Sequence, residues 1–107
     1  MSDYTDYEFK IAMAKLAGLQ VSINGTHYHP KGGGMHPIPD YYNDLNFLLP
    51  LAWKHGMDLD QELDGTWSAK AYRDVSNPMH GVIDIIQDAP EQAVRDCLWS
   101  IAQERKQ

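Results

Sequence analysis

The chain has 107 residues, 43% of them hydrophobic, which is enough for one buried core and too little for two. A formal charge of -6, with nine Lys and Arg scattered along the chain, argues against direct binding to nucleic acid, because little here would displace phosphate counterions. A single cysteine, Cys97, excludes an internal disulfide and a multi-cysteine zinc site; with no signal peptide and no apolar run of membrane-spanning length, the cytoplasm is the expected compartment.

Thr5 and Glu8 have the spacing of a capping box, and Phe9, Ala12, Met13, Leu16 and Ala17 follow at helical intervals until Gly18, which predicts a helix over 6–17. Two short strands, 21–23 and 26–29, flank Asn24-Gly25, the dipeptide best suited to two consecutive residues at positive φ in a hairpin turn. Alternation puts His27 and His29 on one face and Tyr28 on the other. Gly32, Gly33 and Gly34 follow; three consecutive glycines between prolines cannot pack a core and predict a mobile loop. Lys31 precedes these glycines and no helix follows at once, so this is not a phosphate loop.

The densest apolar pattern lies between Asn43 and Gly56. Leu45, Leu48, Leu49, Ala52 and Trp53 recur on one helical face, with Asn43 as the expected N-cap, Gly56 as the stop and a kink or restart at Pro50. A second hairpin is predicted over 57–63 and 66–72 around Asp64-Gly65, with Trp67, Ala69 and Ala71 facing the core and Ser68 and Lys70 nearer water. After a connection over 74–80, the run 81–87 reads as a strand, because Asp88 and Glu91 with Pro90 mark a new helix start immediately behind it. The last helix, 89–104, buries Ala93, Val94, Cys97, Leu98 and Ile101. The expectation is one α+β domain over 1–107, with three helices packed on a mainly antiparallel sheet of two hairpins plus one strand, and with Leu45, Leu48, Leu49, Trp53 and Trp67 buried together. No internal repeat is visible.

The order NDLNFLLPLAWKHGMDL, then GTWSAKAY, then DAPEQAVRDCLWSIA resembles the landmarks of a family of small phage proteins of unknown function, the phage ABA-sandwich (NinX-like) family. The resemblance covers roughly the last two thirds of the chain. It implies helices on both sides of the sheet, an α/β/α sandwich, and a phage or prophage origin; it brings no catalytic residues.

Three of the five histidines, His27, His29 and His36, fall within ten residues. Three imidazoles with an open position would suit a divalent metal, and Asp40 could add a carboxylate; a solvated polar loop or a protein-binding tip has the same composition. Ser22, Ser68, Ser76 and Ser100 stand in no nucleophile-elbow context, and Asp58, Asp60, Glu62 and Asp64 read as charges guarding a strand edge. Cys97 shares a face with Val94, Leu98 and Ile101 and reads as a buried small hydrophobe. Tyr28, Tyr41 and Tyr42, near the loop glycines, have the aromatic character of a binding rim. The function expected is therefore a non-enzymatic binding protein acting on a host or phage component, an unknown protein partner among them, in the host cytoplasm, with no cofactor and no contact with nucleic acid or membrane. The alternatives are a metal-binding protein or metal-dependent enzyme using the histidines, and a protein that binds a small molecule or nucleotide.

Overall fold

A computed structural model of the protein describes residues 4–73, 76, 77, 79 and 81–105. The elements run α1 (Asp6–Leu16), β1 (Gln20–Val21), β2 (His27–His29), β3 (His36–Pro37), α2 (Leu45–Lys54), β4 (Asp58–Gln61), β5 (Trp67–Tyr72), β6 (Val82–Gln87) and α3 (Pro90–Arg105). This is the expected α+β class with three helices, but the strands divide between two antiparallel three-stranded sheets, ordered β1-β2-β3 and β4-β5-β6. The contacts cluster into two compact units, Met1–Leu48 and Leu49–Gln107. The extra sheet arises because the segment after the glycines pairs back on the first hairpin, with Tyr28 opposite His36 and His27 opposite Pro37. The connection expected over 74–80 lies largely outside the described residues.

In the first unit, Thr5 caps α1 reciprocally: its hydroxyl accepts from the Glu8 amide at 3.1 Å while its own amide donates to Glu8 Oε1 at 3.0 Å. Phe9, Ala12, Met13, Ala14 and Leu16 are buried along the helix. In the second unit α3 packs on β5 and β6. Ala69 and Ala71, opposite Ile85 and Ile83 in the register, occupy one sheet face, and Ala93, Val94, Cys97, Leu98 and Ile101 of α3 are buried as the periodicity requires. Cys97 Sγ lies 4.0 Å from the Ile83 carbonyl, which puts the helix directly on that strand.

Both halves of the chain build the same local pattern, which overturns the impression that it contains no repeat. Each of the first two helices ends in a paired cap: Gly18 and Gly56 donate to the carbonyls three residues back (Lys15, 3.0 Å; Trp53, 3.0 Å), and Leu19 and Met57 donate to those five back (Ala14, 2.9 Å; Ala52, 3.2 Å). Both glycines have positive φ, 87° and 67°. A strand follows, then a turn in which an Asx side chain accepts from the Thr two residues on. Asn24 Oδ1 takes the Thr26 amide and hydroxyl at 3.2 and 2.9 Å, and Asp64 Oδ1 takes those of Thr66 at 3.0 and 2.7 Å. A second and a third antiparallel strand complete each copy. In both turns only the glycine, Gly25 or Gly65, has positive φ, so neither is the two-residue turn expected of Asn-Gly and Asp-Gly.

The central helix departs from expectation in its orientation. Its buried positions are Leu48, Leu51 and Ala52, also at helical spacing and continued by His55 just past its end, while Leu45 and Trp53 are 38% and 53% exposed and Leu49 is half-buried. A helix apolar around most of its circumference offers more than one self-consistent face, so its periodicity does not choose between them. Trp67 likewise is only half-buried. The helix runs through Pro50 without a break, and Asp44 rather than Asn43 caps it, accepting from the Asn46 amide at 3.0 Å. Ser68, expected near water, is buried; its hydroxyl donates to Asp84 Oδ1 at 2.9 Å, which satisfies it there.

Candidate functional site

The first sheet carries the candidate residues, and its pleat sorts them. Val21, Tyr28 and His36 lie opposite one another across β1, β2 and β3 and share one face. His29, opposite Gln20, and His27, opposite Pro37, share the other. The three histidines expected to converge are therefore divided, two and one, by the thickness of the sheet. Among the described residues no group of three or more His, Cys, Asp or Glu side chains is placed to hold a metal ion. The alternation of His27 and His29 was legible from the strand; the side taken by His36 depended on how the third strand registers.

The tyrosines are also unequal. Tyr28 lies beside His36, with ring centroids 5.8 Å apart. Tyr41 is buried, and that burial, together with the neighbouring Tyr28 hydroxyl, raises its phenol above the ordinary value. It packs edge-on against Phe47 at 6.2 Å, and Tyr42 packs edge-on against Phe9 at 5.7 Å. Tyr41 is thus a packing residue of the first unit, and of the three expected rim tyrosines only Tyr28 belongs to the sheet beside the loop.

Between β2 and β3 the chain leaves the sheet. Every residue from 31 to 37 is exposed, and Met35 shows 54% of its surface to solvent. A turn closed by the Gly33 amide on the Pro30 carbonyl at 3.0 Å starts this tip, and Gly33 and Gly34 continue it at φ of 91° and 82°. A Cβ added at any of the three glycines would meet nothing within 4 Å. Glycine serves at Gly33 and Gly34 for backbone conformation, and no neighbouring part of the chain requires it at any of the three for space.

On the far side of the β1–β2 turn, Tyr7, Lys10, Gly25, Thr26 and Ile38 line an open cavity of about 170 Å³. The Tyr7 hydroxyl donates to the Asn24 carbonyl at 2.8 Å and the Thr26 hydroxyl is held by Asn24, which leaves Lys10 as the cavity's cation. Several of the nucleophile candidates are hydrogen-bonded or buried. Ser22, Ser68 and Ser100 hydroxyls donate to Asn24, Asp84 and the Asp96 carbonyl, and burial pushes the Cys97 thiol up to about 12, with Asp84 and Asp96 adding to the shift. Asp58 and Asp60 are exposed on β4, and Asp58 faces Lys70 across the ladder, as expected of a guarded strand edge.

The chain is thus a small α+β protein of two successive αβββ segments followed by a final helix. That fold is similar to a crystal structure of a phage protein from Bacillus cereus ATCC 14579: the TM-score is 0.66 over 96% of this chain and 92% of that chain, at 12% sequence identity. No protein-family model and no curated protein matches the sequence. No helix among the described residues is long and apolar enough to cross a membrane.

Proposed function

We propose that the protein is a small phage or prophage accessory protein that acts by binding, and that it docks on a host or phage protein through the tip between β2 and β3. One observation carries this reading: an unbroken exposed run, 31–37, presents Lys31, Met35 and His36 on a backbone that packs against no other part of the chain at its glycines. A flexible thioether and a cation on an adaptable loop suit a protein surface of mixed polarity. The similarity to a phage protein's fold supports the phage assignment, and the resemblance to the phage ABA-sandwich (NinX-like) landmarks points the same way. The raised Cys97 thiol and the engaged serine hydroxyls support binding without chemistry.

Affinity capture from infected host lysate tests this directly, comparing the full chain with a variant lacking 31–35. Reproducible recovery of one protein by the first and its loss with the second is expected, while both retain the same circular dichroism and melting temperature. Equal recovery by both removes the tip from the interface. Recovery of a bound nucleotide or small molecule, with no protein, replaces the reading.

A further inference from the structure

We propose that His27 and His29 form a two-imidazole site for a borderline divalent ion such as Zn2+ or Ni2+ on the polar face of the first sheet, with His27 binding through Nε2. This site is on the opposite face from Tyr28 and His36, and the proposal stands whether or not the tip binds a protein.

The hydrogen-bond network around the β1–β2 turn decides the tautomer of His27. Asn24 Oδ1 has no proton to give; it is placed by the Thr26 amide at 3.2 Å and receives the Ser22 hydroxyl at 2.6 Å. Thr26 Oγ1 lies 2.9 Å from the same oxygen, so the proton between them must be the threonine's. With its proton spent, Thr26 Oγ1 offers only lone pairs to His27 Nδ1 at 2.8 Å, and Nδ1 must be the donor. The neutral ring then carries its free lone pair on Nε2, at the end away from the turn. A ligating histidine is oriented in this way: the second nitrogen donates to a fixed acceptor, which sets both tautomer and ring plane.

His29 is the next residue on the same face, roughly 6.6 Å along the strand, so two side chains of this length can lean onto one ion with water completing its shell. Gln20, opposite His29 in the register, lies on the same face. His29 is exposed and His27 half-buried, so an ion can reach both rings from solvent. Imidazole nitrogens select zinc, nickel and copper over the hard ions that prefer oxygen.

Calorimetric titration of the full chain with Zn2+ and with Ni2+ tests the site, alongside the variants H27Q, H29Q, H36Q and T26V. H27Q and H29Q should each weaken binding at least tenfold, T26V about tenfold through the lost acceptor, and H36Q less than twofold. Long-range 1H–15N spectra of the metal-free protein should show His27 in the Nδ1–H form, and added Zn2+ should shift the rings of His27 and His29 but not His36. These spectra need no variant and so stand even if a substitution harms folding. The proposal is overturned by an absence of binding at millimolar ion, by an Nε2–H tautomer at His27, by equal losses in H36Q and H27Q, or by binding that survives the H27Q/H29Q double change.

Discussion

Gly25 and Gly65 occupy equivalent positions in the two Asx-Gly-Thr turns but have different surroundings. A Cβ at Gly25 would stand 2.7 Å from both Ile11 Cδ1 and Tyr7 Oη, because the first turn is pressed onto α1; at Gly65 it would meet nothing within 4 Å. Gly65→Ala should therefore cost only the backbone penalty of a left-handed alanine, about 1–2 kcal/mol, and Gly25→Ala clearly more, in urea unfolding. Equal costs would mean that the first turn does not press on the helix. Cys97 gives a prediction in pH. Its thiol is raised to about 12 by burial, above the unfolded value, so its contribution to stability is complete below about pH 8.5 and is lost as the pH climbs toward 12. Native protein should resist iodoacetamide at neutral pH at a rate set by unfolding, and Cys97→Ala should flatten the alkaline limb of the stability curve. Asp64 works in the other direction. Its carboxyl is held below the ordinary value by the Thr66 hydroxyl and amide, and that stabilisation is present above the unfolded pKa and lost as the pH falls through the folded one.

The helix α2 shows how a mostly apolar helix chooses its face. Leu51 is 5% exposed and Trp53 is 53% exposed, although Trp53 is the larger hydrophobe. Leu51→Ala should cost about 2–5 kcal/mol, as for a filled core site, and Trp53→Ala less than half as much. The reverse order would restore the face suggested by Leu45, Leu49 and Trp53. Pro50 lies on the exposed side of this continuous helix, where its missing amide leaves a carbonyl to water. Pro50→Ala should raise stability, by up to about 3 kcal/mol, because it adds a helical hydrogen bond without disturbing a buried contact.

Among the described residues, the tip between β2 and β3 has the least to lose on opening: 31–37 are all exposed and nothing packs on its glycines. Trypsin should cut after Lys31 before it cuts after Lys10 in α1 or Lys70 in the central strand β5, with mass spectrometry reading the first fragments. First cleavage at Lys70 would contradict the order of local stabilities that the two sheets imply. Helix limits, turn positions and the buried stripe of α3 were legible in the amino-acid order, because caps, glycines and periodicity act within a few residues of one another. Thr5 with Glu8, Gly18, Gly56 and the run from Ala93 to Ile101 are the residues that carried this information. The repeated helix-cap and Asx-Gly-Thr pattern was present in the same local signals, but it is hidden by strands of unequal length and by side chains that otherwise differ. What tertiary structure alone decided were relations between residues distant in sequence. Pairing of His36 with Tyr28 made a second sheet and carried His36 to the face away from His27 and His29, packing withdrew Tyr41 from the surface, and the orientation of α2 left Trp53 in water. A one-residue change in strand register or a partial turn of a helix apolar around most of its circumference leaves the local preferences satisfied, so only contacts across the fold could choose among those arrangements.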